Sequence, residues 1–445
     1  MYIGVREPRI RALLRRLLQA GLSAADPALA VRRKVTLASG GLRIGRRRYD
    51  LREDSRVVVV GAGKASARMA QALEDLLGSR LDGGLVVVKK SHRVPTRRVE
   101  LAEAGHPLPD RAGEKAAGRL LALVKGLLPN DLLVVLLSGG ASSLLPAPAP
   151  GVTLADKQRT SALLLRSGAT IHEINTVRKH LSTIKGGRLA AATRARVVSL
   201  ILSDVIGDDL ATIGSGPTAP DPTTYADACS ILRRFRIWAA VPRAVRQHLT
   251  KGRQGRVGET PKPGSSVFKR VQNVIIGGNR ASVQAVAREA QHAGLRPLLL
   301  SASMTGEAKA AAREFGTIAK QIVSVGKPVQ RPACVIGGGE LTVTVRGTGL
   351  GGRAQEFALA TAQEISGLKD VWAVGFGTDG TDGPTDAAGA VVDGRTLARA
   401  ERLKLAPDRV LRHNDTYRFF KTVGGHIISG PTGTNVNDVY LLIAL

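Results

Sequence analysis

The sequence predicts an α/β protein of two α/β domains facing each other across a cleft, the first a Rossmann-like doubly wound sheet. Three observations carry this expectation. Continuous Val/Leu runs without alternation, such as "RVVVVGAG" and "DLLVVLLSGG", are what strands buried on both faces look like. Each run ends in a glycine-rich loop, and the helical stretches between runs imply right-handed crossovers between parallel strands. A length of 445 residues suits two or three domains with a sizeable core.

The elements follow in order. "MYIGVREPRIRALLRRLLQAGLSA" has arginines at helical spacing and no apolar signal core, so it reads as an amphipathic surface helix. "RVVVVGAGKAS" is a strand, a glycine turn and a helix from about Ala65 to Leu77; "GGLVVVKK" is the next strand. "DLLVVLLSGGASSLL" repeats the strand-then-glycine design, and "ARVVSLILSDVIGDD" does so again with an acidic loop. The polar Thr250–Arg270 stretch reads as a linker or surface loop. Beyond it, "NVIIGGNRAS", "LRPLLLSAS", "PACVIGGGELTVTV", "VWAVGFGTDG" and "GGHIISGPTGTNV" are strand-to-loop units of a second domain, with "LTVTV" itself a strand. The expected boundaries are residues 1–249, a basic segment 250–270, and 271–445.

Composition excludes several classes. No run of about 18 apolar residues is present, which argues against a membrane span. Cys229 and Cys334 lie far apart and form neither a disulfide framework nor a metal-ligand spacing, which points to a reducing compartment. The formal net charge of +29 is scattered, without interleaved aromatics or a nucleic-acid-binding motif, so nucleic-acid binding rests on charge alone. An anionic small-molecule substrate accounts for part of the excess.

In doubly wound sheets ligands bind beyond the carboxyl ends of strands, where these glycine loops fall. "GAGKAS" (Gly61–Ser66) is neither a P-loop nor a complete dinucleotide fingerprint, since Ser66 stands where the third glycine belongs. It reads as a turn that lets backbone amides approach an anion, with Lys64 adding charge, or as a plain tight turn. Ser138, Gly139 and Gly140 allow the same two readings. "SDVIGDD" places Asp204, Asp208 and Asp209 in one loop; "GTDGTDGPTDAAGA" places Asp379, Asp382 and Asp386 in another, ahead of a helix after Thr385. Clustered carboxylates call for a cation, and one or two of these acids suffice for Mg²⁺ alongside phosphates; capping of turns or helices is the alternative. Arg353 is expected at a helix N-terminus, where the dipole disfavours it, so it reads as a ligand contact or as a partner of Glu356.

The ordered motifs "GAGKAS", "GHPLPD", "LLSGGASSLL", "INTVRKHLSTIKGGRLA", "LSDVIGDDLATIGSGPTAPDPTTYADA", "GGGELTVTVRGTGLGGRAQEFALA", "GTDGTDGPTDAAGA" and "GPTGTNVNDVY" resemble the glycerate 2-kinases of the GckA/TtuD type, which end in a MOFRL domain. The resemblance covers roughly residues 8 to 445. It implies a two-domain α/β kinase that phosphorylates D-glycerate at O2 with ATP and a divalent metal. Lys64 and Arg353 match the family's active-site basic residues, and the two aspartate loops match its acidic loops. The chain departs from the family pattern at Ala354, Ile206 and His426, where Asn, Pro and an acidic residue are usual.

Residues and resemblance together nominate Lys64, Arg353, Asp204 and Asp379 for catalysis. Gly61, Gly63, Ser138, Gly139, Gly140, Gly277, Gly278, Asn279, Glu340, Thr434 and Asn435 are nominated for the nucleotide. Asp208, Asp209, Asp382 and Asp386 are nominated for Mg²⁺. The expected protein is a cytoplasmic monomer or homodimer that takes a small substrate, with no nucleic-acid or membrane partner. The rival activity is an NADPH-dependent hydroxypyruvate reductase, with Lys89 and Lys90 near the 2′-phosphate; the rival non-enzyme is a basic nucleic-acid-binding protein.

Overall fold

A computed structural model describes residues 1–38 and 40–445. Its strands are β1 (Tyr2–Ile3), β2 (Val35–Ala38), β3 (Gly41–Ile44), β4 (Arg47–Asp50), β5 (Val57–Ala62), β6 (Gly83–Lys89), β7 (Val99–Ala104), β8 (Leu132–Leu137), β9 (Arg196–Leu202), β10 (Val271–Gly277), β11 (Arg296–Met304), β12 (Ala333–Gly339), β13 (Val371–Gly377), β14 (Gly389–Asp393), β15 (His426–Ile428) and β16 (Asp438–Ala444). The chain divides into two compact units, Pro27–Ile276 and Met1–Asp26 with Gly277–Leu445.

The Pro27–Ile276 unit holds a six-stranded sheet in the order β10-β9-β8-β5-β6-β7. The pairs from β7 to β9 are all parallel. Numbered from β5, this is the 3-2-1-4-5-6 order of the dinucleotide-binding fold, so the order reverses between β5 and β8. Val57–Val60 and Leu132–Leu137 are almost wholly buried, as uninterrupted apolar runs require. Val58 and Val60 pack in one cluster with Ala116, Ala117, Leu120 and Val124 of the helix Arg111–Lys125. Burial of each of these Val and Leu side chains contributes about 1.5–3 kcal/mol. A three-stranded antiparallel sheet, β2-β3-β4, lies in the same unit.

The other unit carries a mixed sheet, β1-β15-β14-β13-β16-β12-β11. Among the described residues only its β11–β12 pair is parallel; the pairs β12–β16, β16–β13, β13–β14, β14–β15 and β15–β1 are antiparallel. Phe315 and Phe357, from the helices Ala308–Val325 and Arg353–Glu364, meet edge to face at 5.1 Å in its core.

The expected boundaries differ from this division in three places. The N-terminal helix, Pro8–Ala24, joins the C-terminal unit, because Ile10, Leu14, Leu17 and Leu18 pack with Val283, Val286 and Ala290. Strand β10, expected to open the second domain, is instead the edge strand of the six-stranded sheet. The segment 250–270 is docked on the first unit. Glu259 accepts from the backbone of Tyr225 and pairs with His180 and Lys262, while Thr260 donates to Asp221. Burial pushes the Glu259 carboxyl up, but these hydrogen bonds and charges outweigh it and hold it at about 2.

Two local expectations also change. Among the described residues "LTVTV" makes an isolated bridge, Glu307 to Thr342, through the Ala308 amide to Thr342 O and the Thr342 amide to Gly306 O, and the Glu307 carboxylate also accepts from the Thr342 and Thr344 hydroxyls. After Thr385 comes β14 rather than a helix.

Candidate active site

The crevice of the first unit is built by the loops after β5 and β8. They are tied together: the Lys64 amide donates to Gly139 O at 2.9 Å, and Ser138 Oγ accepts from the Ala65 amide at 3.0 Å. The glycines here are steric requirements. A Cβ on Gly63, whose φ is +143°, would lie 2.0 Å from Ser138 Oγ. One on Gly139 would lie 2.2 Å from Asp204 Oδ2, and one on Gly140 2.8 Å from the His106 ring. Lys64, His106, Ser138, Gly139, Gly140 and Asp204 are thereby brought to one place at the carboxyl ends of the strands. Gly61 has a different purpose, since a Cβ there would strike Leu136 O of the neighbouring strand.

The electrostatics of this crevice are cationic. Burial pushes the His106 imidazole down to about 4, helped by the charges of Lys64, Lys89 and His92. Burial is the main cause of its neutrality; the anion preference of the crevice rests on Lys64 and Lys89, whose charges act on the same ring. His106 lies in the "GHPLPD" motif, yet sequence reasoning did not nominate it, because only the fold carries it to Gly140. The buried Lys185 Nζ donates to Ser142 O at 2.8 Å and Ser142 Oγ at 2.9 Å, and burial holds its pKa well below the ordinary lysine value. The rest of the acidic loop folds on itself: Asp209 accepts from the Ala211 amide and the Thr212 hydroxyl, and Asp208 is partly exposed with φ +56°.

In the C-terminal unit, β16 runs between β12 and β13, and its first residue, Asp438, is in register with Gly339 and Gly377. Arg353 opens the helix Arg353–Glu364 and reaches Asp438 through Nε at 2.5 Å and Nη2 at 3.2 Å. Its Nη1 donates to Glu340 at 2.9 Å. Tyr440 donates to the same Asp438 carboxylate at 2.7 Å. Arg353 thus pairs with Asp438 and Glu340, not with Glu356. Burial lowers its pKa, but the two carboxylates more than offset that and hold the guanidinium charged. Of the five guanidinium N–H groups, three are engaged here and two remain.

The nominated acids of the glycine-rich loop separate by role. Asp382 is a helix cap: it accepts from the amides of Ala354 and Gln355 and from the Gln355 side chain, at 2.8–3.0 Å. Only 4% exposed, it is pushed up to about 6 by burial, against the pull of those amides. Those bonds commit three of its acceptor sites to the helix N-terminus, beside the Mg²⁺ role expected of it. Asp386 accepts from the Tyr417 hydroxyl, and Asp379 closes a turn with Thr381 while staying half-buried. Asn279 donates to Val436 O and Asp438 O, and Thr434 to Ala25 O, so both fasten the chain's own backbone. Asn435 accepts from the Asn437 amide; Gly277 ends β10 and Gly278 is extended just before the helix Asn279–His292. Among the described residues, no group of three or more His, Cys, Asp or Glu is gathered to hold a metal, and no helix is long and apolar enough to cross a membrane.

Comparison with known proteins accords with this architecture. Residues 13–250 match the family described as a domain of unknown function (DUF4147), and residues 333–438 match the MOFRL family. The chain is 41% identical to a glycerate 2-kinase of Pyrococcus horikoshii, over 98% of this chain and 97% of that one. It is 43% identical to a putative hydroxypyruvate reductase of Agrobacterium vitis, over 97% and 94% of the two chains. The crystal structure of glycerate kinase from Thermotoga maritima superposes with a TM-score of 0.89 at 38% identity, covering 99% of this chain and 100% of that one. The chain belongs to the glycerate 2-kinase family, with a MOFRL domain at its C-terminal end.

Proposed function

We propose that this protein transfers the terminal phosphoryl group of ATP to O2 of D-glycerate, giving 2-phosphoglycerate and ADP. The observation that carries the reading is the cationic glycine-loop crevice at the switch point of a dinucleotide-type sheet, in a chain of glycerate kinase ancestry. Phosphoryl transfer asks for positioning and charge neutralisation more than covalent work. Lys64 and the loop amides of Gly139 and Gly140 bind phosphate oxygens, and neutral His106 donates without adding to the cationic crowd. Arg353, aimed by Asp438 and Glu340, offers its two remaining N–H groups to a carboxylate or a phosphoryl oxygen. Asp379 takes the proton of the substrate hydroxyl as its oxygen attacks the γ-phosphorus and the bridging P–O bond to ADP breaks.

Magnesium fits the first unit's donor set. Asp204 Oδ2 lies over Gly139, and the partly exposed Asp208 shares its loop, which meets an ion that needs one or two carboxylates beside phosphates. When bound, the ion supplies neutralisation of phosphate charge. The setting proposed is cytoplasmic, with the protein a monomer or homodimer.

The second reading, hydroxypyruvate reduction, is favoured by the name of the Agrobacterium relative. Against it stands Ser66, fully buried and bonded through its hydroxyl to Ser138 in place of the third fingerprint glycine. One assay separates the two. Purified protein with D-glycerate, ATP and Mg²⁺ should release ADP and form the 2-phospho isomer. Oxidation of NADPH by hydroxypyruvate, without ADP release from glycerate, would overturn the kinase reading.

A further inference from the structure

Behind the C-terminal sheet lies a cavity of about 530 Å³, the size of a small-molecule site. Its lining includes Arg6, Arg11, Arg395, Arg399, Arg402 and Lys421, against two acids, Glu7 and Asp393, for a formal net charge of six minus two, +4. Trp372 forms part of the wall. Trp372 is in register with Asp393, whereas Gly377, at the other end of β13, is in register with Asp438. Five residues at about 3.3 Å each put the cavity about 17 Å along the sheet from the Arg353 end.

Several of these cations have local work. Arg399 pairs with Asp393, Arg11 donates to Val5 O, and Arg402 donates to Ala398 O in the last turn of its helix. Three do not. Among the described residues Arg6, Arg395 and Lys421 make no ion pair. Arg395 immediately precedes the helix Thr396–Arg402, where positive charge opposes the helix dipole, so the helix does not account for it. Arg6, Arg395 and Lys421 are exposed and screened by water, so their repulsion is modest, but together they give the concave space a positive potential that attracts a small anion at low salt.

We propose that this cavity is a second anion site, separate from the catalytic loops, that takes a small phosphate-bearing anion of the oligophosphate or nucleotide kind. Guanidinium groups on several sides suit phosphate oxygens, and Trp372, only 5% exposed, backs the wall as a built-in reporter.

The test uses the full chain with Trp238→Phe, which leaves Trp372 as the sole indole of the two present. Inorganic pyrophosphate, ADP and citrate are titrated separately at low salt while Trp372 emission is followed. Pyrophosphate should give a saturable change. Arg395→Ala with Lys421→Ala should weaken it tenfold or more, and Lys64→Ala should leave it within twofold. ADP binding tighter than pyrophosphate identifies a nucleotide as the source; equal binding identifies the phosphates alone. If the double variant does not fold by circular dichroism, Arg6→Gln alone should weaken binding about threefold or more. The proposal is overturned by the absence of a saturable change in both emission and calorimetry, by citrate binding as tightly as pyrophosphate, or by a signal that Lys64→Ala abolishes and the cavity variants retain.

Discussion

Arg353→Lys separates the charge of Arg353 from its geometry. The guanidinium spans both Asp438 oxygens and Glu340 at once, leaving two donors unspent. A lysine ammonium places three donors at one point, so it can hold the nearly buried Asp438 (4% of its side chain exposed) or turn to a ligand, not both. A charge-assisted hydrogen bond contributes about 1.5–3 kcal/mol, and the substitution removes one or two of the three, so stability should fall by about 1.5–6 kcal/mol. If the unspent donors meet charge that develops in the transition state, kcat/KM should fall a further ~10²–10³-fold, the usual loss for one such donor. The assay is ADP release with glycerate and ATP varied in turn, beside thermal unfolding read at Trp372. A fall in kcat at steady KM places Arg353 on the moving phosphoryl group; a rise in KM for glycerate alone places it on the substrate carboxylate. A lysine variant that turns over within about threefold of the parent would refute both assignments and leave Arg353 a structural clasp for Asp438.

Lys64→Ala should lower kcat/KM by on the order of 10²-fold with little change in unfolding temperature, and combined with Arg353→Lys the losses should be less than multiplicative if both serve one transition state. Asp382→Ala should destabilise by about 2–4 kcal/mol, because two buried helix amides lose their acceptor. Asp382 holds protons up to about 6 in the fold against 3.8 in the unfolded chain. Its contribution therefore declines as pH rises through that window, and wild type should exceed Asp382→Asn by about 1 kcal/mol more at pH 5 than at pH 7. His106 behaves oppositely: with a folded pKa near 4 against 6.5 unfolded, stability should fall as pH drops from 6.5 to 4. His106→Asn should flatten that slope in thermal unfolding scans, and a slope unchanged by the substitution would assign it to other groups.

The first sheet was legible because its strands are buried on both faces, and a run such as Val57–Val60 shows in sequence what it is in the fold. The second sheet was legible only in part. Strands β14 and β15 are short and antiparallel, and "GAVVD" following "TDAA" carries no turn signal that distinguishes a strand from a helix start. Among the site residues, Lys64 and Arg353 stood out by charge in glycine-rich surroundings. Of its partners Glu340 was nominated, for the nucleotide, but the pairing with Asp438 was not legible: Asp438 is 85 residues away and reaches Arg353 only through the register of β16 between β12 and β13. The three acids of "GTDGTDGPTD" looked equivalent in the sequence, yet one caps a helix, one takes a tyrosine hydroxyl and one closes a turn. Spacing in a loop does not fix where each carboxylate points, because every intervening glycine can reverse the chain.

The N-terminal helix extends this reasoning to stability. The chain begins in the C-terminal unit, builds Pro27–Ile276, and then returns. Ile3, Ile10, Leu14, Leu17 and Leu18 are at most 5% exposed and belong to the cluster that holds Ile336, Val374 and Leu441 of the mixed sheet. At about 1.5–3 kcal/mol for each buried side chain, this contact is comparable to the whole stability of an ordinary domain. Deleting residues 1–24 should therefore strip one face of the mixed sheet rather than disturb the sheet nearest in sequence. Trp372 reports the C-terminal unit and Trp238 the other, so single-tryptophan versions made with Trp238→Phe or Trp372→Phe can follow each separately. Deletion should move the urea midpoint at Trp372 far more than at Trp238. An equal or larger shift at Trp238 would mean that the helix supports the sheet of its sequence neighbours, and the packing assigned to Leu14 and Leu17 would be wrong.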